Sequence, residues 1–280
     1  METAVVGHTE WITFADVDAV PPAGGIAHTT DEWEAPGGGG AVAAVQLAKL
    51  AGSATFFTAT GDDDIGARTR RELTSMSVDV RAATRHDTRS RRALTLIDPA
   101  GERTIITLGD RLAPAATDPL GWDDLDTTDA VYVTAGDPGA LAQARRASCL
   151  VVTGRILREV LATDIVPDVL VGSARDPSEA IRTDLLPWRP RMIVRTEGVR
   201  GGAFETADGV THRWEPAPVT PGGDTYGAGD SFAAGLTFAL GQGRPPADAV
   251  AFAARCGAAC ASGRGPYAGQ LTAPDISPGR

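Results

Sequence analysis

The sequence predicts a three-layer α/β/α domain on a mostly parallel sheet, with a small β appendage. Three observations predict it. From residue 129 onward, short apolar runs alternate with helix-like segments. Glycine-rich turns fall where apolar runs end and helices begin. One strand–turn–strand segment, residues 93–108, interrupts the alternation in the N-terminal half.

Residues 3–7 open the chain as a buried strand, Thr-Ala-Val-Val-Gly. A Pro/Gly-rich stretch runs from Pro21 to Gly25. Pro36 and Gly37 to Gly40 then feed a helix over residues 41–50, and residues 54–59 read as a further strand. Ala93 to Ile97 and Thr104 to Leu108 are strand-like, and the turn Asp98-Pro99-Ala100-Gly101-Glu102-Arg103 joins them as a hairpin. Strands at 130–134, 150–153, 169–173 and 192–196 alternate with helices at 141–147, 156–161 and 178–186. In such sheets ligands bind beyond the C-terminal strand ends. No internal repeat is present, and Ser262 to Arg280 reads as irregular.

Composition narrows the function classes. At 280 residues and 42% hydrophobic content the chain holds one large α/β domain or two small ones. Lys plus Arg is 26 against 36 for Asp plus Glu, a net charge of −10, which argues against a nucleic-acid surface. Three cysteines, Cys149, Cys256 and Cys260, do not make a disulfide framework and fit a reducing cytosol. Cys256 and Cys260 share a helix face among small residues, which favours packing over metal binding. There is no basic-then-apolar leader and no run long enough to cross a bilayer, so the cytoplasm is the default location.

The most specific stretch is Asp224-Thr225-Tyr226-Gly227-Ala228-Gly229-Asp230-Ser231-Phe232. Phe232, Leu236 and Leu240 recur four apart, so a helix follows, and Gly241 and Gly243 stop it. Gly227, Ala228 and Gly229 then present bare amides at the positive end of that helix, where an anion is favoured. Asp230 is placed to take a proton from a hydroxyl beside that anion. Cradle plus adjacent base is the core of a phosphoryl-transfer site. The plainer reading is a glycine turn capping a buried helix, with Asp230 suiting the helix dipole.

This string resembles the C-terminal signature of the PfkB/ribokinase family of carbohydrate and nucleoside kinases, and every fixed position matches. The resemblance covers nearly the whole chain, to about Gly265. It implies a ribokinase-like fold over residues 1–280, with a β lid from segments near 12–36 and 90–110. It makes Asp230 the catalytic base and Gly227, Ala228 and Gly229 the anion hole. Gly37 to Gly52 resembles the N-terminal signature, placing Gly37, Gly38 and Gly39 against the acceptor. Gly61 to Gly66 resembles a further family turn and reads as a solvated acidic turn. Asp176 and Glu179 sit where the family organises Mg²⁺ through water, with Asp176 in place of Asn. Thr196, Gly198 and Arg200 resemble the family's nucleotide loop before a β-hairpin, with Thr225 also toward ATP. The 247–261 helix is expected to wall the adenine slot, with Gly257 allowing close approach. Asp224 shapes the turn; a monovalent cation there, with potassium activation, is a hypothesis.

Two positions depart from the family. Its usual acceptor-binding Asn falls on Val42, and an Asp that grips sugar hydroxyls falls on Ile12. Glu10, sharing a face with Ile12 in an extended segment, is a candidate substitute, as is His8. Arg85, Arg89, Arg91 and Arg92 form a basic run in which one member is available for an anionic substrate, and Arg155 is a further pocket candidate.

The expectation is transfer of the ATP γ-phosphate to a hydroxyl of a sugar or sugar-like acceptor, with ATP, Mg²⁺ and a small molecule as ligands. A nucleoside or vitamin-precursor kinase is the alternative within the family. A catalytically weak ligand sensor is a second hypothesis, motivated by Ile12 and Val42. A dinucleotide oxidoreductase ranks last, because no Gly-x-Gly-x-x-Gly follows the first strand. Exposed lid edges offer two copies a place to pair, so a homodimer is also considered.

Overall fold

The computed structural model describes residues 1–276. In chain order the elements are β1 (Thr3–Val6), β2 (Glu10–Val17), β3 (Thr29–Gly37), α1 (Gly39–Ala51), β4 (Ala54–Gly61), α2 (Asp64–Ser75) and β5 (Val78–Arg85). Then come β6 (Arg92–Ile97), β7 (Arg103–Leu108), β8 (Ala130–Val133), α3 (Pro138–Ala144), β9 (Leu150–Thr153), α4 (Leu157–Leu161) and β10 (Val169–Ser173). The last are β11 (Met192–Thr196), β12 (Gly202–Thr206), β13 (Thr211–Trp214), α5 (Ala228–Gly241), α6 (Pro246–Ala261) and α7 (Ala273–Ile276).

The large sheet has nine strands in the order β13-β12-β11-β10-β9-β8-β1-β4-β5. The run from β11 to β5 is parallel, and the β12–β13 hairpin adds antiparallel strands at one edge. Strand side chains alternate between two cores, because successive residues point to opposite faces. Val5, Tyr132 and Val151 pack with α1, α5 and α6 on one face. Val6, Val131 and Val152 pack with α3 and the residues around Trp122 on the other. The result is the three-layer arrangement.

The small sheet is β3-β2-β6-β7, with β2 and β6 parallel to each other and antiparallel partners outside. The hairpin expected around 98–103 is present, and residues 10–17 and 29–37 supply the other two strands. Ile12, Phe14, Ala93 and Ile97 of this sheet pack with Val42 and Tyr226 into a third apolar cluster.

Two helices differ from expectation. The 141–147 helix begins earlier, at Pro138, because Asp137 caps it by accepting from the Ala140 amide at 2.6 Å. The 178–186 helix is absent: only single turns form at Pro177–Glu179 and Thr183–Leu185. Tertiary contact overrides helix propensity there. The Glu179 carbonyl lies so close to the strand ends that a Cβ on Gly154 would meet it at 2.5 Å, and Ile181 is buried against the sheet with its carbonyl accepting from Arg195. Of the C-terminal stretch read as irregular, Ala273–Ile276 is helical, and Ser277 to Arg280 lie outside the described residues.

Candidate active site

β1 lies between β8 and β4, where the strand order reverses, which is where open α/β sheets bind ligands. Gly7 follows β1 and Thr134 follows β8. They touch so closely that a Cβ on Gly7 would overlap the Thr134 hydroxyl.

The turn before α5 faces this point. Gly227 takes a left-handed conformation, φ 77°, and serves as the helix N-cap, a geometry that suits glycine. The Ser231 amide bonds back to the Gly227 carbonyl at 2.8 Å, whereas the Ala228 amide has only a 3.5 Å contact to Thr225. The first-turn amides of α5 therefore stay available, and nothing lies within 4 Å of where a Gly229 Cβ would sit. Asp230 follows in that same turn. Burial, with Glu179 nearby, lifts its carboxyl to about 6, against the pull of Arg155 and Arg103.

The glycine run meets Asp230 from the other side. A Cβ on Gly39 would lie 2.7 Å from Asp230 Oδ1. Gly38, with φ 82°, turns the chain beside His8 and Glu10, and its amide donates to the Tyr226 hydroxyl at 3.0 Å. Gly37 packs on Ile12. Val42 is fully buried beneath Gly227 in the third apolar cluster, so its side chain meets the core rather than open space. Glu10 is 7% exposed and pairs with Arg91 at 2.9 Å, and burial raises its carboxyl.

Asp224 locks the loop: its oxygens accept from the Tyr226 amide at 2.9 Å and the Gly265 amide at 2.6 Å. Each oxygen is thus engaged by backbone, so the carboxylate does not fit an open cation ligand. Thr225 joins the turn to the small sheet, because Arg103 donates to its carbonyl at 3.1 Å and its hydroxyl at 2.9 Å. Opposite, Asp176 and Glu179 both close on the Arg155 guanidinium, Asp176 at 2.9 Å, and Glu179 also accepts from the Ser173 amide at 3.0 Å. No cluster of three metal-ligating side chains exists among the described residues.

Thr196 ends β11, and Gly198, φ 63°, turns the chain into the β12–β13 hairpin. Arg200 is exposed and reaches only Glu197, at 3.7 Å. A shallow cleft of about 520 Å³ lies beside the end of α6, lined by Pro218, Thr220, Arg255, Ala258 and Ser262 among others. Gly257 is not part of it. A Cβ there would meet the Ala228 carbonyl at 3.0 Å, so Gly257 lets α6 approach the first turn of α5 closely. A larger hollow, about 810 Å³, opens at the opposite end of the sheet beside Val169 and Met192, away from Asp230. Thr134 carries no signal in the sequence, because only the tertiary fold sets it against Gly7; Tyr226 lies inside the signature string, but the bond its hydroxyl accepts from the Gly38 amide depends on the fold.

A family model described as pfkB family carbohydrate kinase matches residues 2–186 and 168–273. An ATP-dependent ribose-1-phosphate kinase of Halopiger xanaduensis is 32% identical over 145 residues, 50% of this chain and 48% of the relative. The chain thus aligns with under half of that relative's length. Among solved structures, ribokinase of Thermotoga maritima superposes with a TM-score of 0.76 at 19% identity, covering 99% of this chain and 98% of that one. The nucleoside kinase of Methanocaldococcus jannaschii gives 0.76 at 18% identity, covering 99% and 97%. With the family model spanning almost all the described residues and the ribokinase fold shared along nearly the whole chain, this protein belongs to the pfkB family of carbohydrate kinases.

Proposed function

We propose that this chain transfers the γ-phosphate of ATP to a hydroxyl of a sugar or sugar-like acceptor, with Asp230 as the base. The observation that carries this is Asp230 itself: a carboxyl lifted to about 6, in the first turn of α5 beside unspent amides, and abutted by Gly39. At neutral pH such a carboxyl is ionised yet only weakly acidic, which suits a group that must accept a hydroxyl proton. Gly227, Ala228 and Gly229 hold the transferring phosphoryl group, whose charge the helix dipole favours. Thr196, Gly198, Arg200 and Thr225 lie on the nucleotide side.

Asp176 and Glu179 are the two carboxylates on the nucleotide side, and they become free for a cation where the Arg155 guanidinium that bridges them gives way. They would hold Mg²⁺ through its waters, and Mg²⁺ when bound neutralises charge on the nucleotide phosphates. Potassium has no equivalent support at Asp224, and no step is assigned to it. The small sheet acts as a lid that excludes water, and its outer strand β7 is exposed along its whole length and available to a second copy.

The test is ADP release from Mg-ATP across sugars, nucleosides and vitamin alcohols, with Asp230→Asn beside the wild type. Acceptor-dependent turnover lost in the variant supports the kinase. ATP binding without turnover on any acceptor would transfer the assignment to the ligand sensor.

A further inference from the structure

Arg155 lies in the single turn that follows β9, and Asp176 and Glu179 frame the single turn that follows β10. β9 and β10 are neighbours in the sheet, so the two turns stand side by side at the strand ends. The backbone fixes them there. A Cβ on Gly154 or Gly172 would sit 2.5 Å or 2.4 Å from the Glu179 carbonyl, so both strands must be bare at this contact.

The guanidinium fills the space between the two carboxylates. Its Nη2 donates to Asp176 Oδ2 at 2.9 Å and to Glu179 Oε1, and its Nη1 donates to Ser178 Oγ at 3.0 Å. The other two oxygens are engaged as well. Asp176 Oδ1 accepts from the Ser178 amide at 2.9 Å and its hydroxyl at 2.7 Å, and Glu179 Oε2 accepts from the Ser173 amide at 3.0 Å. Every carboxylate oxygen therefore has a donor, and a divalent ion that approaches this pair meets a positive charge already in place. Two carboxylates against one guanidinium still leave a negative charge over, which favours a doubly charged ion once the guanidinium leaves.

The arrangement is open enough to break. Arg155 is 36% exposed and Asp176 40%, and ion pairs so open to water are weak. The place a freed guanidinium would reach is near. Asp230 and the Thr134 methyl both border Gly39, so the first turn of α5 stands at the end of β8, the strand next to β9. Arg155 is thus one strand away from that turn, and its charge already works against the burial that raises the Asp230 carboxyl. A guanidinium carries five donors in a fork that matches phosphate oxygens.

We infer that Arg155 is the resident cation of the Asp176–Glu179 pair and the gate to it: the guanidinium passes to the phosphates of the incoming nucleotide, and that exchange opens the two carboxylates to a divalent ion. The inference rests on the kinase reading above. It makes Arg155 a phosphate-binding residue in the loaded enzyme and a stand-in for the metal's charge in the free one. Nucleotide and metal then bind this end of the sheet in concert.

The test titrates Mn²⁺ into the nucleotide-free protein and reads bound ion by electron paramagnetic resonance. Wild type should show no site that Glu179→Gln removes. Arg155→Gln should gain one, at least about 10-fold tighter than any wild-type site, and adding Glu179→Gln to it should abolish that site. Arg155→Lys, which keeps the charge, should gain none, and neither should Arg158→Gln, exposed and three residues on. Calorimetry with a non-hydrolysable ATP analogue in EDTA reads the other half: Arg155→Gln should bind it about 10- to 100-fold more weakly than wild type. A Mn²⁺ site in nucleotide-free wild type that Glu179→Gln removes would overturn the gate, and this arm stands even if Arg155→Gln fails to fold. Equal affinity of wild type and Arg155→Gln for the analogue would overturn the transfer to phosphate. None of these readouts involves turnover, so a chain that phosphorylates no acceptor would sink the kinase reading alone. Wild type that binds no analogue, with or without metal, would sink both.

Discussion

Gly39→Ala separates stability from catalysis. Gly39 is the first residue of α1, and its missing Cβ would lie 2.7 Å from Asp230 Oδ1, against 3.4 Å for ordinary contact. The new methyl must therefore displace the carboxylate by about 0.7 Å, the difference of those distances. A misplacement of about 1 Å at a reacting group costs on the order of 100-fold in rate. Alanine is also the better helix former by up to about 1 kcal/mol, so the fold should hold or gain, with Tm higher by about 2 °C at most. Steady-state ADP release with the acceptor the panel identifies reads kcat, and calorimetric unfolding reads Tm. A kcat within twofold of wild type at unchanged Tm would refute the claim that the glycine run positions the base.

Three further outcomes follow from particular contacts. The Asp230 carboxyl at about 6 sits above its ordinary 3.8, so its ionised form is disfavoured in the fold. Rate should rise with pH through about 6 as the base deprotonates, while this group's drain on stability grows over the same window; Asp230→Asn should lose the rate and unfold at higher denaturant than wild type above pH 6, but not below pH 4. Asp224→Ala strands the Tyr226 and Gly265 amides in a residue environment only 3% exposed, and should cost about 2–4 kcal/mol by urea unfolding. Gly235→Ala would put a Cβ 2.6 Å from Cys256 Sγ and 2.9 Å from its Cβ, so α5 and α6 must part, at about 1–2 kcal/mol in the same assay, with kcat changing less than in Gly39→Ala.

Local chemistry is the part of this protein that is legible in its sequence. The nine residues 224–232 carry turn, N-cap, base and helix in one uninterrupted string, and the helix forms over Ala228–Gly241 as periodicity requires. The hairpin at 98–103 is legible because its turn residues flank two strand-like runs. Segment 178–186 is not, because its conformation follows from the Glu179 carbonyl pressed against Gly154 and Gly172 of two neighbouring strand ends. Ile12 and Val42 are legible as departures, but their place in an apolar cluster with Phe14 and Tyr226 depends on how the small sheet lies on the body. Thr134 gives no local signal at all, because only the fold sets it against Gly7, far before it in sequence.

Residues 7–9, Gly38, residues 86–91 and the segment after β7 are the only covalent ties, among the described residues, between the small sheet and the body. They are therefore the hinge, and any swing of the small sheet must twist the backbone there. His8 and Glu10 lie against Gly38 at that hinge, so a change in packing among the three alters the axle of the motion rather than its far edge.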